Sequence, residues 1–197
     1  YCVQNDVPVM AHTNHSNGPY DEFKDLAGSD YWKLALQRFP GLRVSFGHFG
    51  DSDPEDHKGD RTLPFLQLMT QGAGTAGANT FADSGYFAGA LMNQIKMRDV
   101  LRKLYAANNG IMLERLMYGT DWTMILPQKN VERYLSDFID IIRRVEDAEP
   151  TMTVRGGKLA AAFFGRNAAE FLGLRKGRGN RFRLRAFYRG EKHRGVV

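Results

Sequence analysis

The chain has 197 residues, 43% hydrophobic and 12% aromatic, enough for one domain with a sizeable core, and no apolar run approaches the roughly 18 residues of a membrane span. Its single cysteine, Cys2, excludes an internal disulfide framework, and no basic segment followed by an apolar one opens the chain, so a reducing, cytoplasmic setting is expected. The net charge of +5 is uneven: from Arg175 onward nine lysines and arginines stand against Glu191 alone, which leaves the rest of the chain at about −3.

The first predicted strand is VPVMAH, residues 7–12. Ser29 is then placed as the N-cap of a helix in which Trp32, Ala35, Leu36 and Phe39 fall at i, i+3, i+4 and i+7, and which Pro40 and Gly41 stop. RVSFGH, residues 43–48, is the second strand. The acidic DSDPEDHKGD that follows, residues 51–60, reads as a solvated loop over a pocket mouth with His57 exposed, because Asp56 and Thr62 stand where a calcium loop needs Gly and Glu. Residues 62–71 are helix-compatible. GAGTAG, residues 72–77, matches the letters of a dinucleotide fingerprint, but it follows a helical stretch and leads into the third strand, NTFAD, residues 79–83. A pyrophosphate loop needs the reverse order, so this one is read as a plain loop. Residues 93–107 form the next helix. RLMYGTD, residues 115–121, is the fourth strand, and Asn130 caps a last long helix striped by Val131, Leu135, Phe138, Ile142 and Val145. The tail RFRLRAFYR alternates basic and apolar residues; it is read as an arm packed on the body or on another subunit, ahead of a basic strand or nucleic-acid contact.

Near-continuous apolar runs alternating with helices describe a parallel sheet with right-handed crossovers. The runs end in His12, His48, Asp83 and Asp121, each 35 to 38 positions after the last. In a βα barrel such residues share the C-terminal face, where catalytic groups collect. Four units make half of a barrel, with the other half upstream or on a second chain; an open doubly wound sheet is the alternative. Two imidazoles and a carboxylate on one face suit Zn²⁺ or a similar divalent ion, whose bound water Asp121 or His48 could deprotonate. His15, Asn17, Ser84, Tyr86 and Trp122 follow the strand ends and are candidates for the substrate-binding wall, with turn chemistry as the reading for Asn17-Gly18. Asp83 is read as a cap or hydrogen-bonding residue.

The stretches VPVMAHTNHSNG, LALQRFPGLRVSFGHFG, RLMYGTDW and FFGRNAAEFLGL resemble, in order and spacing, the second half of the amidohydrolase-related family of metal-dependent enzymes, across residues 1–174. The resemblance implies the C-terminal half of a distorted TIM barrel (1–174, strands five to eight) with a basic extension (175–197). It also implies His12 as a metal ligand, His48 as a second ligand or the group polarising water and substrate, and Asp121 as ligand and proton acceptor. Zn²⁺ is the expected ion, Mn²⁺ the alternative. The implied activity is attack of metal-activated water on an ester, lactone or amide carbon of a small-molecule substrate, with decarboxylation or hydration as variants of the same site. The family's first-strand H-x-H pair has no counterpart here, since HTNH at 12–15 has the wrong spacing. The expectation is therefore a piece of a longer enzyme, inactive alone and completed by a missing N-terminal half-barrel or a second subunit, with no membrane partner. A catalytically silent scaffold and a nucleic-acid module working through the basic tail are the readings from other classes.

Overall fold

The computed structural model describes residues 1–13, 26–50, 62–70, 77–149, 152, 154 and 157–190. The acidic loop at 51–60, His15, Asn17, residues 72–76 of GAGTAG and the last seven residues of the tail lie outside the described residues.

The four predicted strands form in shortened form: β1 (Val9–His12), β2 (Val44–Gly47), β3 (Thr80–Asp83) and β4 (Leu116–Met117). They make one parallel sheet in the order β1-β2-β3-β4, with Val9 opposite Val44, Val44 opposite Thr80 and Asp83 opposite Met117. Because successive strand residues point to opposite faces, the sheet has two different sides. Val9, Ala11, Val44, Phe46, Ala82 and Leu116 turn toward the main core. That core takes in residues of α1 (Ser29–Arg38), α2 (Thr62–Thr70), α3 (Gly89–Met92), α4 (Gln94–Ala106), α5 (Trp122–Ile125), α6 (Tyr134–Ala148) and α7 (Leu159–Ala161). On the other side, among the described residues, Phe81 and Met117 form a small apolar cluster with Phe171 and Ala168 of α8 (Asn167–Phe171), which α7 reaches through a π-helical turn at Ala162–Arg166.

Sequential strand order with helices α1 to α7 in a single core is consistent with part of a TIM-barrel-like fold. A doubly wound sheet would reverse its strand order and cover both faces with helices. No such reversal of strand order occurs among the described residues.

Local chemistry decides where elements start and stop. Asn93 caps α4, its side chain accepting from the Lys96 amide at 3.1 Å. Ser29 is the first helical residue of α1, while Gly28 is the cap and supplies no side-chain bond. Asn130 likewise makes no capping bond; it adopts φ 62° and leads into a 3₁₀ turn, Val131–Arg133. The buried stripe of α6 therefore starts at Tyr134 and runs through Phe138, Ile141, Ile142 and Val145, leaving Leu135 half exposed. RLMYGTD leaves the ladder after Met117, because the Tyr118 amide bonds to the Phe163 carbonyl at 2.9 Å instead of a neighbouring strand. The tail segment is helical, α9 (Gly179–Phe187), rather than an extended strand. It packs back on the body as an arm: Arg183 donates to the Asn5 carbonyl at 2.6 Å and the Gly179 amide to Asp6 at 3.2 Å.

Candidate active site

His12 is the last residue of β1, and its successor fastens that strand end in place. The buried Thr13 hydroxyl donates to the Gly47 carbonyl at 2.6 Å and accepts from the Gly50 amide at 2.9 Å. His48 follows directly on β2 with φ 62°, and Phe49 continues at φ 48°. Both are left-handed conformations that cost a non-glycine residue energy. They are held by the complete burial of Phe49 and by a bond from the His48 amide to Asp83 Oδ1 at 3.2 Å.

Asp83 ends β3 and is buried, yet its carboxylate is well supplied with neutral donors. It accepts from the Ser45 hydroxyl (3.3 Å), the His48 amide (3.2 Å) and the Gly85 amide (3.0 Å). The carboxylate acts as a peg joining the ends of β2 and β3. Gly85 has no room for a side chain: a Cβ there would meet Asp83 Oδ1 at 2.9 Å and His48 Nδ1 at 3.4 Å.

The Gly85 carbonyl lies 3.0 Å from His48 Nδ1. A carbonyl only accepts, so Nδ1 carries the hydrogen and Nε2 is the ring nitrogen turned toward the cleft. Nε2 faces Asp121 Oδ2 at 3.8 Å. Asp121 stands four residues beyond β4 at φ 45°, immediately before α5, with Oδ1 receiving the Thr123 hydroxyl at 3.4 Å. The His12 ring lies edge-on to His48, centroids 5.0 Å apart. All four polar side chains line one cleft of about 410 Å³, whose apolar wall includes Met117 and Phe171. No lysine or arginine lines it among the described residues.

Tyr134 secures the loop after β3 from below. Its hydroxyl donates to the Ser84 carbonyl at 2.9 Å and accepts from the Phe87 amide at 3.1 Å. Burial holds this phenol far above its usual range; the Phe87 bond opposes that, and Tyr118, Asp83 and Asp121 add to it. It is therefore a permanent donor at any ordinary pH.

The expected substrate wall is distributed differently from the sequence reading. Ser84 is fully buried, its hydroxyl accepting from the Gly119 amide at 3.2 Å, so it supports the cleft from beneath rather than facing it. Tyr86 adopts φ 58°, and its hydroxyl accepts from Gln128 at 2.9 Å. Trp122 projects 70% exposed beside Asp121. Residues that sequence reasoning passed over do much of the positioning: Thr13, Gly85, Gly119 and Tyr134. Two of them had a visible signal, since Gly85 and Gly119 flank strand-end aspartates in DSG and GTD.

As a metal site, the donor chemistry fits but the set is partial. Two bonds of about 2 Å to one ion span the distance between His48 Nε2 and Asp121 Oδ2. The Gly85 carbonyl fixes the ring as an outer partner fixes a ligating histidine. Yet no group of three or more His, Cys, Asp or Glu among the described residues is drawn together to hold an ion.

No protein-family model matches the chain, and no curated protein does. Among solved structures the chain is similar to a probable 2-pyrone-4,6-dicarboxylic acid hydrolase from Acinetobacter baumannii, crystallised with citric acid bound. Identity is 16% and the TM-score 0.44, over 84% of this chain and 64% of that one. This chain thus spans under two thirds of that protein's length.

Proposed function

We propose that the chain carries one half of a metal-dependent hydrolase site of the amidohydrolase-related type, on a C-terminal half-barrel. One observation carries the reading: His48 Nε2, the ring nitrogen turned away from the Gly85 carbonyl, faces the Asp121 carboxylate at 3.8 Å. A ring nitrogen and a carboxylate oxygen thus face each other in a cleft that no lysine or arginine lines among the described residues. Both are atoms that a divalent cation takes as ligands.

His48 and Asp121 would hold a divalent ion, Zn²⁺ first and Mn²⁺ as the alternative, with His12 contributing from the end of β1. The ion would bring bound water toward a pKa of about 7 and polarise a carbonyl. Asp121, open to the cleft, takes the proton of the attacking water and returns it to the leaving group. His48 keeps its orientation because Asp83 holds its backbone and Gly85 its ring. The substrate class is an ester, lactone or amide of a small molecule. Remaining ligands would come from a preceding half-barrel or a second subunit.

Equilibrium dialysis against Zn²⁺ tests this. A half-set of ligands predicts binding far weaker than the roughly 10–16 kcal/mol of a complete structural site. His48→Ala should abolish it, and Asp121→Asn, which keeps shape but not charge, should reduce it. Tight binding, or binding indifferent to both substitutions, would overturn the assignment.

A further inference from the structure

A second cavity, of about 170 Å³, lies at the other end of the sheet. Arg43 immediately precedes β2, Asn79 precedes β3, and Glu114 and Arg115 precede β4, so its walls come from the N-terminal ends of the strands. The π-helical turn adds Arg166, α8 adds Glu170, and the segment after α8 adds Arg175 and Arg178. Five guanidiniums thus line a small concavity together with two carboxylates, and with Arg43 paired to Asp6 two positive charges remain in excess. Clustering like charges is costly unless something offsets it.

The available counter-charges are largely engaged. Glu170 pairs with Arg175 and, at 3.6 Å, with Arg178. Arg43 pairs with Asp6 at 2.7 Å, its side chain only 8% exposed. Two buried donors remain without a hydrogen-bond partner among the described residues, Arg43 Nε and Arg166 Nη2. Buried donors of charged groups are rarely left unmade. Burial also presses Arg115 below the usual guanidinium range, with Glu114 acting against it. Gly173, at φ +68°, lets the chain pass close to this cluster: a Cβ there would stand 2.9 Å from Arg43 Nη2.

We propose that this cavity binds a phosphate group carried by a small molecule, at the end of the sheet opposite His48 and Asp121. Guanidinium forks match phosphate oxygens in pairs, and a dianion with three peripheral oxygens meets donors arriving from several segments. Its two charges match the excess. The volume lies below the roughly 300–1,000 Å³ of pockets for drug-sized ligands, which sets the scale of the occupant.

Inorganic phosphate is the probe, titrated calorimetrically into the chain at an ionic strength held constant with potassium chloride. Saturable binding of one phosphate per chain is expected, weakened about tenfold or more in Arg166→Gln and in Arg175→Gln, the loss of one charge-assisted hydrogen bond each. His48→Ala should leave it unchanged, which keeps this result separate from the zinc experiment. Circular dichroism checks folding, and Arg178→Gln, at a half-exposed side chain, replaces Arg166→Gln if that variant unfolds. Absence of saturable binding, or equal affinity in the arginine variants, would overturn the proposal. So would a single-stranded RNA that binds with steep salt dependence where phosphate does not, since that is the signature of a nucleic-acid surface.

Discussion

Tyr105 and Tyr134 are both buried in the core, and their hydroxyls meet opposite fates. The Tyr105 hydroxyl has no hydrogen-bond partner among the described residues. That of Tyr134 bridges the Ser84 carbonyl and the Phe87 amide. Tyr105→Phe is therefore expected to stabilise the fold by about 1 kcal/mol, by removing an unsatisfied group, and Tyr134→Phe to destabilise it by about 1–2 kcal/mol. Urea denaturation midpoints would show the contrast. Burial raises both phenols above their usual range, Glu146 adding to the effect at Tyr105. Below pH 10 the phenols are neutral in both states. Above it the unfolded chain ionises first, so stability falls as pH rises, by up to about 1.4 kcal/mol per unit for each buried tyrosine. Either substitution should remove one such contribution from the alkaline slope. At this scale the sequence displayed the chemically capable residues, because strand-end histidines and aspartates can be read from a run of letters. It did not display Thr13 or Gly85, whose roles are a hydroxyl spanning two strand ends and the absence of a Cβ between two side chains.

Among the elements, parallel strands buried on the helix side announce themselves as apolar runs, and all four were legible that way. Their ends were not, since a chain leaves a ladder when a competing partner captures an amide, as the Phe163 carbonyl captures Tyr118. The tail was ambiguous for a different reason: alternating Arg and apolar residues in RFRLR suit a strand, but only contacts distant in sequence select the helix. Asp6 supplies several of them. Its carboxylate neutralises the buried Arg43 at 2.7 Å and accepts from the Gly179 amide at the start of α9. Asp6→Asn keeps the shape and tolerates the left-handed φ of 52° at this position, while leaving Arg43 without its counter-charge. A buried pair that loses one partner costs about 3–5 kcal/mol, and because Asp6 is one-third exposed the expected loss is nearer about 1–3 kcal/mol. The check is a lower urea midpoint at unchanged slope.

As a whole molecule, the protein is a sheet with its main core on one side. The opposite side bears Met10, 68% exposed, beside the cleft, and α8 covers only part of it. Among the described strands, β1 and β4 each have a single neighbour, so two edges offer unpaired backbone groups. The chain by itself is expected to self-associate, as light scattering would register; a well-behaved monomer would count against the half-barrel reading. Strand pairing joins residues about 35 positions apart, whereas Gly179 meets Asp6 across 173. That difference has a consequence in time. The sheet can grow unit by unit while α9 is still free, so the arm closes late and belongs to the far side of the folding barrier. Deleting residues 175–197 should consequently leave the folding rate almost unchanged and accelerate unfolding, making the arm a determinant of how long the native state persists rather than of how quickly it is found.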